Sequence, residues 1–310
     1  MVSQQQIFFE PWGLGDALIA FAIALQRPHG LSVACQSRWH PLLRAEASVQ
    51  ALACPELSSV DLSYTGREKR VDSQDGVPGV GADGRKVLSI RGDIRDYRFA
   101  RQMFPNASIK MCGWVPFAAK RSRIVDWPFA KGILPVVNRY HAWARLAAVP
   151  WNYVLQFYSA REAFTGSAFI VIHAGAQWRS KQFPHVAELA ALLRQHATVD
   201  IVVGTGDPLP PGIEEGQVVR LANEALIERL SLATHVVAND SGPMHVAAML
   251  RRRTVCVTNH SAMREWLAPE VVLVAANGNK GHRATEVKPS DRVFPGWPTA
   301  EDVAKQVLAL

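Results

Sequence analysis

The sequence predicts the α/β class: parallel sheets covered by helices, arranged as two domains. Three observations carry that reading. Between Ala168 and Ala276, apolar runs of strand length alternate with segments of helical spacing, the pattern of a parallel sheet with helices on both faces. The chain also opens with a strand run, a glycine turn and an apolar helical run in that order, which is the start of another βα series. Finally, 310 residues that are 48% hydrophobic and 20% charged suffice for two ordinary domains, each with its own core. Two Rossmann-like domains are expected, residues 1–150 and 151–310, joined by a linker near Val149 to Gly166.

Taken in order, "QIFFE" reads as the first strand, "PWGLGD" as its turn and "ALIAFAIALQ" as a helix. "LSVAC" follows as a strand, and a helix is expected near "PLLRAEASVQAL". The glycine-rich, charged stretch from Tyr64 to Lys86 reads as a long surface loop. Beyond it, up to Val149, the pattern is too irregular to order the strands. The second half is regular: "AFIVIHAGA", "VDIVVGTG", "HVVAND", "TVCVTN" and "VVLVAA" are strands. "PHVAELAALLRQH", "EALIERLSLA" and "PMHVAAML" are the helices between them. The tail "TAEDVAKQVLAL" predicts a last helix with Thr299 as N-cap and Asp302 at the capping-box position.

Composition narrows the function classes. No apolar run approaches the roughly 20 residues of a membrane span. "MVSQQQIFFE" lacks the basic and apolar regions of a secretory signal, so a cytoplasmic location is expected. Cys35, Cys54, Cys112 and Cys256 are scattered with no CxxC pair, which fits reduced, buried thiols better than a zinc site or a disulfide framework. A net charge of +7 is concentrated at Arg67–Arg70, Lys120–Arg123 and Arg251–Arg253. These clusters suit either solvated surface or peripheral attraction to an anionic membrane face or a phosphorylated acceptor. No nucleic-acid-binding motif accompanies them, and nucleic acid is not an expected partner.

Three strand-to-helix loops hold unusual polar groups, and ligands of open α/β sheets bind at that end of the strands. The first is "GLGD", Gly13 to Asp16, where glycines permit close backbone approach and Asp16 either caps the helix or faces a ligand. It does not complete a GxGxxG fingerprint, which argues against a dinucleotide-dependent oxidoreductase. The second is "HAGAQWRSKQFP", where small residues end a strand and Lys181 supplies a point charge suited to phosphate or to solvent. The third is "NDSGPMH". Pro243 suits the first helical turn, and the amides around it favour an anion by about 0.3–1 kcal/mol. His245 leans back toward that same end. Asp240 or Ser241 could equally serve as an ordinary cap.

Together these segments resemble glycosyltransferase family nine, best known for the ADP-heptose:lipopolysaccharide heptosyltransferases. The resemblance implies a GT-B architecture, with two Rossmann-like domains facing across a cleft. The N-terminal domain would take the acceptor and the C-terminal domain the nucleotide-sugar donor. It implies that Asp16 is the general base, with Gly13 and Gly15 on the acceptor side. Lys181 would contact the donor phosphates and Asp240 would lie near the donor sugar. Ser241, Gly242 and Met244 would offer backbone amides to the diphosphate, with His245 close by. Gly175 and Ala176 would lie along the donor, and Leu221 would pack near the base. Asp207 is a candidate for the ribose without a family pattern behind it. Asn259 and His260 depart from the glycine-containing turn common in the family.

The expected function is therefore an inverting, metal-independent glycosyltransferase. The co-substrate would be a nucleotide-diphosphate sugar such as ADP-heptose, and the acceptor a saccharide or glycolipid such as lipopolysaccharide core. No resident cofactor or metal is expected. The alternatives are a GT-B-fold nucleotide-sugar epimerase and a non-catalytic nucleotide-sugar-binding protein.

Overall fold

A computed structural model of the chain describes residues 6–11, 13–27, 30–40, 49–54, 85–89, 99–100, 103–104, 106–111, 138–160, 167–176, 181–259, 264, 266–275 and 296–310. Most of the expected Tyr64–Lys86 loop, the basic clusters Arg67–Arg70 and Lys120–Arg123, Cys112 and His260 lie outside the described residues. The chain divides into two compact units, Met1–Val154 and Leu155–Leu310.

In the first unit, β1 (Gln6–Glu10), β2 (Leu31–Gln36), β3 (Gln50–Cys54), β4 (Lys86–Ser89) and β5 (Ser108–Met111) form a parallel sheet in the order β3-β2-β1-β4-β5. Helix α1 (Leu14–Leu25) is buried at every position from Ala17 to Ala24. A helix apolar all round must be enclosed rather than laid on a surface. It packs on β1 and β2 on one side and on α2 (Arg139–Leu146) on another. Just past the end of α1, Arg27 Nη1 donates to the Ala147 carbonyl at 3.0 Å, placing a cation at the C-terminal end of α2.

Two expectations need correction here. The helix read near "PLLRAEASVQAL" does not reach its last residues, because Gln50–Cys54 is strand β3, paired in parallel with β2. Ladder pairing to β2 overrides the helical preference of Gln, Ala and Leu. The expected linker is largely helix α3 (Trp151–Ser159), and the unit boundary falls inside it. Its Val154 and Tyr158 are buried four residues apart, the spacing of a packed helical face.

The second unit carries β6 (Phe169–His173), β7 (Thr198–Gly204), β8 (Val219–Leu221), β9 (His235–Asn239), β10 (Arg253–Thr258) and β11 (Val272–Ala275). They pair in parallel in the order β11-β10-β9-β6-β7-β8. Alternation along the strands divides the side chains between two faces. Ile170, Ile172, Val199, Ile201, Val203, Val237, Val255 and Val257 share one core with α4 (Val186–Leu193) and α7 (Ala300–Leu308). Helices α5 (Asn223–Leu232) and α6 (Gly242–Met249) pack on the sheet outside that core, against β6 to β10. At the N-terminus of α7 the Thr299 hydroxyl accepts from the Asp302 amide at 3.1 Å, as its sequence position requires. Strand β8 was not expected; three residues of intermediate burial give no period to read.

Cys35, Cys54 and Cys256 are free and buried. Burial holds the Cys35 thiol up at about 12, with the Glu10 carboxylate adding to the effect. Leu189 lies at the centre of the core under α4. Leu189→Ala should destabilise the second unit by about 2–5 kcal/mol, measured as a lower denaturant midpoint with an unchanged slope.

Candidate functional site

The strand order of the second unit reverses between β6 and β9. From β6 the chain leads to its neighbour β7 on one side, and from β9 to its neighbour β10 on the other. The loops leaving β6 and β9 therefore depart in opposite directions and leave a crevice at the carboxyl ends of those strands. Gly175 and Ala176 stand at the β6 side of it, and Asp240, Ser241 and Gly242 at the β9 side.

Helix α6 begins at this crevice without the ordinary cap. Ser241 is its N-cap, in extended conformation, yet makes no side-chain capping bond. Its hydroxyl instead donates to the Asn239 carbonyl at 3.3 Å. Asp240 is drawn to Lys181, whose Nζ lies 2.7 Å from Asp240 Oδ2. Pro243 has no amide to satisfy, and the Met244 amide closes onto the Ser241 carbonyl at 3.2 Å. The side chains of Met244 and His245 are both buried. The helix thus keeps its positive end with no capping bond from its N-cap side chain.

Lys181 and Asp240 are 25% and 19% exposed, so the pair is shielded from full solvent screening. The segment carrying Lys181 is anchored by the two residues that follow the lysine. Gln182 Nε2 donates to the Pro208 carbonyl at 3.4 Å, tying the segment to the loop after β7. Phe183 sinks its ring into the core under α4, edge-on to Trp297 with ring centroids 5.8 Å apart.

Gly175 has a specific steric reason to be glycine. A Cβ there would stand 1.9 Å from Asp207 Oδ2, so the carboxylate occupies the space a side chain would take. Asp207 is held by the Gly204 amide, which donates to Oδ2 at 3.1 Å. Arg220 Nη1 braces the same turn by donating to the Gly204 and Asp207 carbonyls at 3.1 and 2.9 Å, while its other nitrogens engage Glu215. Leu221, one residue on, ends β8 opposite Gly204. His173, the last residue of β6, is buried, and its Nδ1 meets no hydrogen-bond partner among the described residues. Burial pushes its imidazole down to about 4, against an opposing pull from Asp207 and nearby backbone groups.

In the first unit, Gly13 is the N-cap of α1, Gly15 is its second residue and Asp16 its third. Asp16 therefore sits in the first turn, where a carboxylate complements the helix dipole, and not at the cap. Its Oδ2 lies 3.7 Å from where a Gly13 Cβ would be. The turn before it is fixed by Gln36, whose amide donates to the Pro11 carbonyl at 2.6 Å.

Among the sequence-predicted residues, the fold gathers Gly175, Ala176, Lys181, Asp240, Ser241, Gly242, Met244 and His245 around the β6 and β9 ends. Gly13, Gly15 and Asp16 belong to the other unit. Sequence reasoning missed Asn239, Gln182 and Arg220, whose bonds brace the loops around these residues and reach partners distant in sequence. Among the described residues, no three His, Cys, Asp or Glu side chains are grouped to hold a metal.

Two consequences can be measured. Gly175→Ala must displace the Asp207 carboxylate, at a cost of about 1–3 kcal/mol, seen as a lower unfolding midpoint. Folded His173 gives up its proton near pH 4, whereas the unfolded imidazole keeps it to about 6.5. The unfolded state then binds more protons between those values, so stability falls as pH drops from about 6.5 to 4, by on the order of 3 kcal/mol. His173→Gln should flatten that part of the stability–pH curve.

Residues 146–291 match glycosyltransferase family 9 (heptosyltransferase). No curated protein is matched. Among solved structures, the E. coli heptosyltransferase WaaC with ADP is similar at a TM-score of 0.59 and 15% identity, covering 89% of this chain and 94% of that one. The E. coli ADP-heptose lps heptosyltransferase II is similar at 0.54 and 18% identity, covering 99% and 98%. A glycosyltransferase family 9 protein from Veillonella parvula is similar at 0.55 and 10% identity, covering 88% and 86%. At these identities the structures establish the fold, two parallel-sheet units of the GT-B type. The sequence match over residues 146–291 marks the chain as a glycosyltransferase similar to family 9, the heptosyltransferases.

Proposed function

We propose that the protein is an inverting, metal-independent transferase that moves heptose from ADP-heptose to a saccharide acceptor such as lipopolysaccharide core. The observation that carries this reading is the Lys181 ammonium, paired with Asp240 beside a helix start whose N-cap side chain makes no capping bond, at the β6/β9 crevice. Such a site favours the diphosphate of a nucleotide sugar, and favours it more as charge builds on the leaving group. ADP as the nucleotide is supported by the likeness to WaaC, whose structure holds ADP.

In this mechanism an acceptor hydroxyl attacks the anomeric carbon from the face opposite the diphosphate. Asp16 takes the hydroxyl proton, the bond from the anomeric carbon to the phosphate oxygen breaks, and ADP leaves with the bonding pair. A positioned base contributes about 10²–10⁴-fold. Asp240 is itself anionic and would repel phosphate, so its role is toward the sugar hydroxyls while Lys181 turns to the diphosphate. The Ser241 and Gly242 amides complete the phosphate site, and Asp207 is the candidate for the ribose. Gly13 and Gly15 leave room for the acceptor. Work from the cytoplasm on a glycolipid at the anionic inner-membrane face belongs to the same proposal and rests on the net charge of +7.

Transfer and binding should separate in two variants. Asp16→Ala should reduce transfer by at least about 100-fold with ADP affinity nearly unchanged, whereas Lys181→Ala should weaken ADP in calorimetry. Equal loss of binding and transfer in Asp16→Ala removes it as base. Epimerised nucleotide sugar formed without acceptor decides for the epimerase reading.

A further inference from the structure

Asn239 is buried, ends β9 and directly precedes Asp240, and the mechanism above gives it no part. Its side chain nevertheless makes three hydrogen bonds, all to backbone and all across the crevice. Nδ2 donates to the Ala174 carbonyl at 3.0 Å and to the Gly175 carbonyl at 3.2 Å. Oδ1 accepts from the Phe183 amide at 3.0 Å. Only one orientation of the amide fits, because the flipped one would set its oxygen against two carbonyls and its NH₂ against an N–H.

These bonds join three segments that the ladder does not. The β6–β9 pairing runs as far as His173 opposite Ala238, so Ala174 and Gly175 lie past its end. The Ala174 amide is already committed to the Val202 carbonyl on β7, leaving its carbonyl for Asn239. The bond to Phe183 reaches the segment that carries Lys181 two residues earlier. Asn239 to Phe183 and Asp240 to Lys181 are thus adjacent rungs between the same two loops.

We propose that Asn239 is a positioning residue of the donor site: its buried amide fixes the Lys181 segment and the β6 end against the start of α6, and so sets where the Lys181 ammonium meets a nucleotide diphosphate. This rests on the donor-site reading above. Asn239 touches no substrate itself. It acts through Lys181, because an ammonium on a four-carbon stem is placed only as well as the backbone beneath it. Removing the amide leaves two carbonyls and one N–H buried without their partner, and the loops relax to satisfy them.

The test is a double-mutant cycle read by calorimetry with ADP on the full chain: wild type, Asn239→Ala, Lys181→Ala and the double variant. Asn239→Ala should weaken ADP about 10-fold and raise the donor KM by a similar factor with a smaller change in kcat. In the Lys181→Ala background the same substitution should change ADP affinity by less than about 2-fold, since the group it positions is gone. Asn239→Ser, whose hydroxyl can retain one bond, should fall between wild type and alanine and serves if the alanine variant does not fold. Folded Asn239 variants that bind ADP as wild type does, or a loss that persists in full without Lys181, overturn the positioning role alone. Wild-type chain that binds no ADP overturns the donor reading and this proposal with it.

Discussion

The reversal of strand order between β6 and β9 is the constraint from which the rest of the second unit follows. Past the last paired residues, two neighbouring strands send their chains apart, and the backbone groups there lose the ladder that would satisfy them. Buried carbonyls and amides cannot be left so. Asn239 answers with one side chain, taking up the Ala174 and Gly175 carbonyls and the Phe183 amide. The same requirement that closes the end of the sheet therefore also fixes the three loops that carry the site.

Charge is arranged on that frame with little free to move. The Asp240 carboxylate and the Lys181 ammonium compensate each other in partial burial, and the helix that starts beside them has no side-chain cap on its N-cap residue. Asp207 fills the space over Gly175 and is braced through the Arg220 bonds to its turn. His173 beneath is held neutral by burial, so it adds no positive charge to the crevice near neutral pH. Among the described residues, a diphosphate entering such a site would meet the Lys181 cation and a fixed helix dipole, and would take Lys181 over from Asp240. Apart from that exchange of partners by Lys181, the backbone frame around the site stays held by its own hydrogen bonds, and preorganised groups are the ones that stabilise a leaving group effectively.

How much of this the sequence discloses depends on whether a feature is local. β6, β9 and α6 were legible because apolar runs of strand length and a proline-marked helix start are written in consecutive residues. Thr299 was legible as a cap for the same reason, and the structure satisfies it. β3 was not, since its pairing with β2 is a tertiary fact that residues 50–54 do not announce. Nor was α3, whose buried Val154 and Tyr158 sat inside what read as a linker. In the site, Lys181 and Asp240 were each legible as candidates, but their pairing spans 59 residues and only the fold reveals it. It also narrows the ambiguity of "NDSGPMH": Ser241, the N-cap residue, turns its hydroxyl to the Asn239 carbonyl instead of capping the helix. Asn239 was passed over because an asparagine at a strand end reads as punctuation until its three partners are seen.

The central claim is that the start of α6 and Lys181 form a diphosphate site. A crystal structure of the chain grown with ADP tests it most directly. The account predicts the diphosphate within hydrogen-bond distance of the Ser241 and Gly242 amides, with Lys181 Nζ turned from Asp240 to a phosphate oxygen. ADP bound elsewhere, or at this crevice with Lys181 still paired to Asp240 and its phosphates away from α6, would contradict it.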